Sequence, residues 1–417
     1  MALRTNTTEP GSAPAAPALP AAAGAAPPGR PPLVHWLAVL SVTLGIFSIV
    51  TTEILPIGLL TPIGSAFGVS EGVAGLTMTM PGIVAAIAAP VVTVTTGRLD
   101  RRLMLSVLMG LLALADLLAA LAPAFWVLLL SRVLVGVTIG GFWSIGAGLA
   151  PRLVPAGSAP RATAVIFSAV PLGSVLGVPA GALIGHLAGW RASFAVMGVL
   201  SVGVLVALRT LLPPLPARQV TRLGVLRGML RERNIRIGLL ATFLVVLAHF
   251  AAYTYVEPFL QQVTRVDAGG ISVFLLVYGA AGVVGNFAAG WAITRGLRAT
   301  WITCTGLLAA ATLLLPVVGG GWVAALGLLV VWGLAYGAVP VCSSTWFARS
   351  APRTPEAATV LFTASFQATL SAGALAGGVI VDRTSTATVM TLSGAVAALM
   401  AAMLWGAGRM RPLPPAP

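Results

Sequence analysis

Thr51-Thr52-Glu53-Ile54-Leu55-Pro56-Ile57-Gly58-Leu59-Leu60 closes an apolar run that begins near Leu33. A carboxylate at residue 53 would lie in or at the edge of hydrocarbon. Charge is costly there, so an intramembrane acid marks a functional site by default. The theme returns at Tyr253-Thr254-Tyr255-Val256-Glu257-Pro258, again an apolar run with Glu and Pro near one end. Two apolar halves with an acid at corresponding places form the pattern of a secondary transporter. The alternative is a Glu near a helix end that faces headgroups or water.

The composition excludes a soluble fold. Of 417 residues, 58% are hydrophobic and 8% charged, against about 25% charged in a soluble domain. Apolar runs of about 20 residues can cross a hydrocarbon core of ~30 Å. Twelve can be read, near residues 34–60, 72–95, 103–122, 125–149, 162–187, 192–211, 237–262, 270–294, 299–318, 323–347, 356–380 and 386–408. Backbone groups in lipid must pair within each segment. The expected fold is therefore an all-α polytopic membrane protein, with twelve transmembrane helices in two six-helix bundles.

Residues 1–32 are rich in Ala, Pro and Gly and read as a disordered cytoplasmic tail. The bundles are expected over 33–211 and 237–408, joined by a basic linker at 212–236, with a C-terminal tail at 409–417. The net charge of +14 comes from Arg alone. Most of those arginines fall in loops on one face, which places both termini in the cytoplasm and does not point to nucleic acid. Arg and Ala richness without Lys fits a high-GC bacterial genome, and so a bacterial cytoplasmic membrane. Cys304 and Cys342 lie inside apolar runs and read as core residues, not a disulfide.

Three acids fall within spans: Glu53, Asp116 and Glu257. Burial favours the neutral form of a carboxyl group, the property that a proton carrier needs. Asp116 has no polar residue three or four positions away, so its partner must come from another helix. Arg132 is the one intramembrane base. Arg stays protonated, so it must pair with an acid, a carbonyl or water. Glu53 is the first choice and Asp116 the second, and a fixed ion pair is the alternative to proton coupling.

His249, Tyr253 and Glu257 recur every four residues, which on an unbroken helix is one face. Such a face suits a hydroxyl-rich ligand or a proton relay; a core His and an interfacial Tyr are the other reading. Ser48 and Thr52, Phe142-Trp143-Ser144, Tyr278 and Asn286, Trp332 and Tyr336, and Phe366-Gln367 add polar or aromatic groups at membrane depth. Together they could line one cavity between the halves, where aromatic faces stack on sugar or drug rings. Gly173, Gly177, Pro179 and Gly181 put small residues and a proline in the fifth span, which suits close, rocking helix contact. Gly97, Asp100, Arg101 and Arg102 form a charged turn after the second span. It could latch one conformation through a helix end or be a solvated loop. No nucleotide cradle, metal site or nucleophile–base pair is read, so no cofactor, metal or enzymatic activity is expected.

These pieces resemble the major facilitator superfamily over residues 33–410. The turn 96–103 is similar to that family's loop between helices two and three, without its spacer and second Gly. Leu128-x-x-x-Arg132-x-x-x-Gly136 is similar to the fourth-helix motif implicated in proton coupling, and Gly173–Gly181 to the fifth-helix antiporter motif. Thr51–Leu60, Phe142–Ile145 and Ala248–Phe259 resemble bacterial sugar efflux transporters of the drug:H⁺ antiporter branch, which export arabinose and IPTG. Gln367 stands where that pattern commonly has Asn. The resemblance implies a monomeric, proton-coupled exporter in the lipid bilayer that moves small sugars or sugar-like solutes by alternating access. A drug exporter, for example of chloramphenicol, is the alternative; a non-transporting membrane sensor is the alternative of another class.

Overall fold

The computed structural model describes residues 32–96, 99–146, 149–155, 158–216, 228–351 and 355–406. The tails, Gly97 and residues 217–227 of the basic linker lie outside the described residues. Each long apolar run is a helix. The first six are α1 (Pro32–Ile54), α2 (Leu76–Thr95), α3 (Arg101–Ala120), α4 (Phe125–Gly146), α5 (Ala159–Ala188) and α6 (Trp190–Leu211). After the linker comes α7 (Arg233–Tyr253). Ala268–Val318 is 51 residues long, about 77 Å as a straight helix, more than twice a hydrocarbon core. Its backbone leaves helical geometry at Gly296 (φ 178°, ψ 95°), which divides it into α8 (268–295) and α9 (297–318). The last three are α10 (Trp322–Ser350), α11 (Pro355–Arg383) and α12 (Thr386–Gly406). Twelve crossings result, in the all-helical fold expected.

Two groups of six pack separately. In the first, α2 lies against α4, α3 against α6, and α1 against α5. In the second, α7 lies against α11 and α12, and the α8–α9 hairpin against α10 and α12. The groups meet chiefly where α2 touches α11 and α5 touches α8. Large apolar side chains such as Phe287, Trp291, Val199 and Trp405 remain exposed on the outside, as a lipid-facing surface requires.

Prolines set where α1 and α7 stop. Pro has no N–H and ends the i→i−4 ladder. The α1 helix ends at Ile54, and a 3₁₀ turn holding Pro56 follows over Leu55–Gly58. The α7 helix ends at Tyr253, and a new short helix, Val256–Phe259, carries Glu257 and Pro258. The expected common face of His249, Tyr253 and Glu257 is therefore broken. Glu257 sits beyond the end of α7 because Pro258 cannot donate to Thr254, and the backbone turns at Tyr255 (φ −109°, ψ 19°).

That turn seals one end of the seam between the halves. Glu257 Oε2 accepts from the Thr61 backbone N–H (3.0 Å) and hydroxyl (2.9 Å). Asp382, at the end of α11, accepts from the Ser70 hydroxyl (2.7 Å) and the Gly72 N–H (2.9 Å). Gln262 donates to Glu71 at 2.6 Å. All of these bonds join the first half to the second.

The charged turn is anchored inside the first half. Asp100 caps α3 through the N–H groups of Arg102 (2.9 Å) and Leu103 (3.2 Å) and accepts from Leu215 N–H at 2.6 Å. Arg101 N–H donates to the Leu215 carbonyl at 2.8 Å, and the Arg102 guanidinium donates to the Arg209 carbonyl. The fifth-helix glycines face α1: a side chain at Gly173 would meet Val50 at 3.0 Å, one at Gly177 would meet Thr51 at 3.0 Å, and one at Gly181 would overlap Leu55. Pro179 lies within that same helix. Gly136 on α4 lets α2 approach, since a Cβ there would lie 2.6 Å from Val84.

Candidate functional site

A cavity of about 290 Å³ lies between the two groups of helices. It is at the small end of the roughly 300–1,000 Å³ typical of ligand pockets. The sealed end bounds it. On α11, Gln367 and Leu370 line the cavity, and one turn further the Ala374 carbonyl accepts from the Tyr255 hydroxyl at 2.9 Å. On α7, His249 and Tyr253 line it, and Tyr255 and Glu257 belong to the sealing layer.

Many of the residues expected to form a cavity do line it: Trp143, His249, Tyr253, Tyr278, Asn286, Tyr336, Phe366 and Gln367, together with Glu53. Others do not. Ser48 and Phe142 are fully buried away from it. Thr52 turns its hydroxyl to Asp116, and Trp332 stands behind His249. The side chain of Ser144 lies outside the described residues. Lining residues that the spacing did not single out include Val50, Ile54, Ser174, Phe250, Phe362 and Thr363. Val170 and Ser174, four apart on α5, share a face beside the glycine run. That period was the available signal.

Glu53 is the one carboxylate among the described lining residues. It is 7% exposed and accepts from the Gln367 side-chain amide at 2.7 Å. This bond ties α1 to α11 across the cavity. Opposite stands an aromatic cluster. His249 stacks with Tyr336 (centroids 3.2 Å apart) and Tyr253 (5.0 Å), and Tyr253 stacks with Tyr278 (4.6 Å). Trp332 meets His249, Tyr253 and Tyr278 edge-on at 77–80°. A planar or partly apolar ring can lie against such a cluster, with Glu53, Gln367 and Asn286 left for its polar groups.

Arg132 does not pair with a carboxylate, contrary to the sequence expectation. Its Nε donates to the Thr77 carbonyl (3.0 Å), and its Nη2 to the carbonyls of Thr52 (2.8 Å) and Glu53 (3.0 Å). The reason is the prolines. The helical donor to Thr52 would be residue 56, and the donor to Thr77 would be residue 81; both are Pro and have no N–H. Arg132 supplies the missing donors and holds α1 and α2 to α4. Asp116 is likewise not in the cavity: it accepts from Ser201 on α6 (3.1 Å) and Thr52 on α1 (3.4 Å).

Comparison with known proteins agrees with this architecture. Residues 40–360 and 238–417 match the family model of the Major Facilitator Superfamily. The purine ribonucleoside efflux pump NepI of Salmonella typhimurium (strain LT2) is 34% identical over 382 residues, 91% of this chain and 96% of that protein. The transcription regulatory protein OpdE of Pseudomonas aeruginosa is 35% identical over 353 residues, 84% of this chain and 88% of that one. A bacterial homolog of the human lysosomal transporter Spinster, solved inward-facing and unoccupied, superposes with a TM-score of 0.73 at 15% identity, covering 91% of this chain and 98% of that one.

Proposed function

Because the chain belongs to the major facilitator superfamily, we propose that it exports a small uncharged, ring-bearing solute in exchange for protons. The carrying observation is the Glu53–Gln367 bond at the edge of a small aromatic cavity. Antiport needs solute and proton to exclude each other at one group. A solute hydroxyl or N–H can bind the Glu53 carboxylate, and a proton on Glu53 removes the charge and turns the oxygen left free by Gln367 into a donor. Charge-assisted hydrogen bonds are about twice as strong as neutral ones, so protonation also loosens the tie between α1 and α11. One charge moving through 100 mV supplies about 2.3 kcal/mol, which at about 1.4 kcal/mol per decade sustains roughly a fifty-fold gradient of a neutral solute.

Among solute classes, nucleosides are favoured over free sugars. A bare sugar offers only hydroxyls and C–H faces, whereas a nucleoside adds a flat base that matches the cluster of His249, Tyr253, Tyr278 and Tyr336. The name of the Salmonella relative points the same way. The cavity's size disfavours bulky drugs. In this reading the Arg-rich loops are cytoplasmic, the membrane is the bacterial inner membrane, and the structure is closed on the outer side.

The test is transport in sealed proteoliposomes under an imposed inward proton gradient, with labelled adenosine, arabinose and chloramphenicol side by side. Gradient-driven movement of adenosine supports the reading. Movement of arabinose or chloramphenicol alone keeps the mechanism and changes the substrate. Flux that ignores the gradient removes proton coupling. The name of the Pseudomonas relative favours a second reading, a membrane sensor that binds a solute without moving it. A solute that raises the melting temperature but shows no flux in any gradient would select that reading.

A further inference from the structure

The aromatic cluster holds a hydrogen bond that decides what His249 can offer a ligand. Trp332 Nε1 donates to His249 Nδ1 at 3.1 Å. An indole N–H is a donor and never an acceptor. His249 Nδ1 must therefore carry a lone pair, and a proton there would oppose the indole proton head-on. A neutral imidazole has one N–H, so the proton sits on Nε2. The ring is 1% exposed and is stacked with Tyr336 and Tyr253. What remains for a ligand is one N–H donor at the far edge of a ring that lines the cavity.

A second polar atom in the cluster is unspent. The Tyr278 hydroxyl is buried and has no hydrogen-bond partner among the described residues, although Tyr278 lines the same cavity. An unmade bond of this kind costs about 1–3 kcal/mol and is removed when a ligand supplies the partner. Across the cavity the pattern is reversed. Gln367 spends one of its two N–H groups on Glu53, so the Gln367 carbonyl oxygen and the remaining Glu53 carboxylate oxygen are left as acceptors, beside one further Gln367 N–H.

We propose that Trp332 is a positioning residue that fixes His249 as a neutral donor, and that His249 Nε2–H and the Tyr278 hydroxyl together read an acceptor on the substrate's ring. The substrate class is then a neutral planar heterocycle with a ring nitrogen or carbonyl acceptor on one edge and N–H or O–H donors on another. Purine nucleosides have both. Simple sugars have no such acceptor on a flat ring. This rests on the exporter reading above for its physiological meaning, but the tautomer does not depend on that reading.

The protein has three histidines, so ¹⁵N-histidine labelling gives a spectrum in which His249→Gln identifies the signal. At pH 7 the expected His249 signature is a bare Nδ1 and a protonated Nε2, changing to a mixture in Trp332→Phe. A proton on Nδ1 in the wild type overturns the proposal. Adenosine binding is then measured for wild type and Tyr278→Phe. The variant should bind about tenfold more weakly, the loss of one hydrogen bond, yet melt no lower, because it removes an unpaired buried polar atom. A variant that binds as well as wild type overturns the role given to Tyr278, whether or not Trp332→Phe folds. If wild type binds no nucleoside but shows the expected His249 signature, the substrate class falls and the tautomer stands.

Discussion

Gln367 on α11 reaches Glu53 on α1 with its side-chain amide, 2.7 Å across the seam between the two halves. The pair is the point where the cavity, an ionisable group and a contact between the halves coincide. Glu257 joins the halves too, but through the Thr61 backbone and hydroxyl beyond the cavity. Asp116 stays within the first half, held by Ser201 and Thr52. Three membrane-depth acids thus divide into one at the cavity, one in the seal and one in the core of a half.

Glu53→Gln keeps the size of the side chain and one acceptor oxygen, exchanges the other oxygen for an NH2 donor, and cannot take up and release a proton. Gradient-driven adenosine transport should fall at least about tenfold. Exchange of labelled for unlabelled adenosine across equilibrated vesicles needs no net proton movement and should persist, at a higher adenosine concentration because one acceptor oxygen is lost. Loss of both activities together would assign Glu53 to solute binding alone.

Gln367→Leu removes the donor and leaves Glu53 with an apolar neighbour. A buried carboxylate that loses its partner costs about 1–3 kcal/mol or more, so the melting temperature should drop. Gln367→Asn, shorter by one methylene, should recover part of it. Equal melting of Leu and Asn variants would mean that the bond contributes nothing in solution.

The twelve crossings were readable because hydrocarbon admits only helices and closed barrels, and apolar runs of about 20 residues fit the helix. The cavity was half readable. Tyr253, Tyr278, Tyr336 and Gln367 stand out as polar or aromatic groups in apolar helices, and they do converge. Val50, Ile54 and Phe250 do not stand out, since an apolar residue facing a cavity looks like one facing lipid. Arg132 was misread for another reason. Charge suggested an acid as partner, while the deciding feature was a pair of prolines four residues past Thr52 and Thr77. Glu257 was misplaced because a four-residue period implies a common face only while the helix continues, and Pro258 ends it.

The seal is open to a direct test. Ser70 and Asp382 lie on opposite halves with their side chains bonded at 2.7 Å. Cysteines at both positions should cross-link under mild oxidant, in a background where the buried Cys304 and Cys342 are replaced by Ala. The cross-link should abolish net transport, and reduction should restore it. A cross-linked protein that still transports at the wild-type rate would show that this end does not open in the cycle.

Arg132 gives the most specific prediction. Arg132→Met leaves the Thr52 and Thr77 carbonyls buried without donors, at about 1–3 kcal/mol each, and the protein should melt well below wild type. Pro56→Ala and Pro81→Ala return a backbone N–H to the residue that should serve each carbonyl. In that double-alanine background the same Arg132→Met change should cost less than half as much, because the helices then satisfy themselves. Double-mutant cycles isolate this coupling from the general effect of each substitution. If Arg132→Met costs the same in both backgrounds, the carbonyls are not what holds the guanidinium. The electrostatic pull of Glu53 and Asp116, the explanation that charge alone suggests, would then be restored, and neutralising those two acids would be the change that makes Arg132 dispensable.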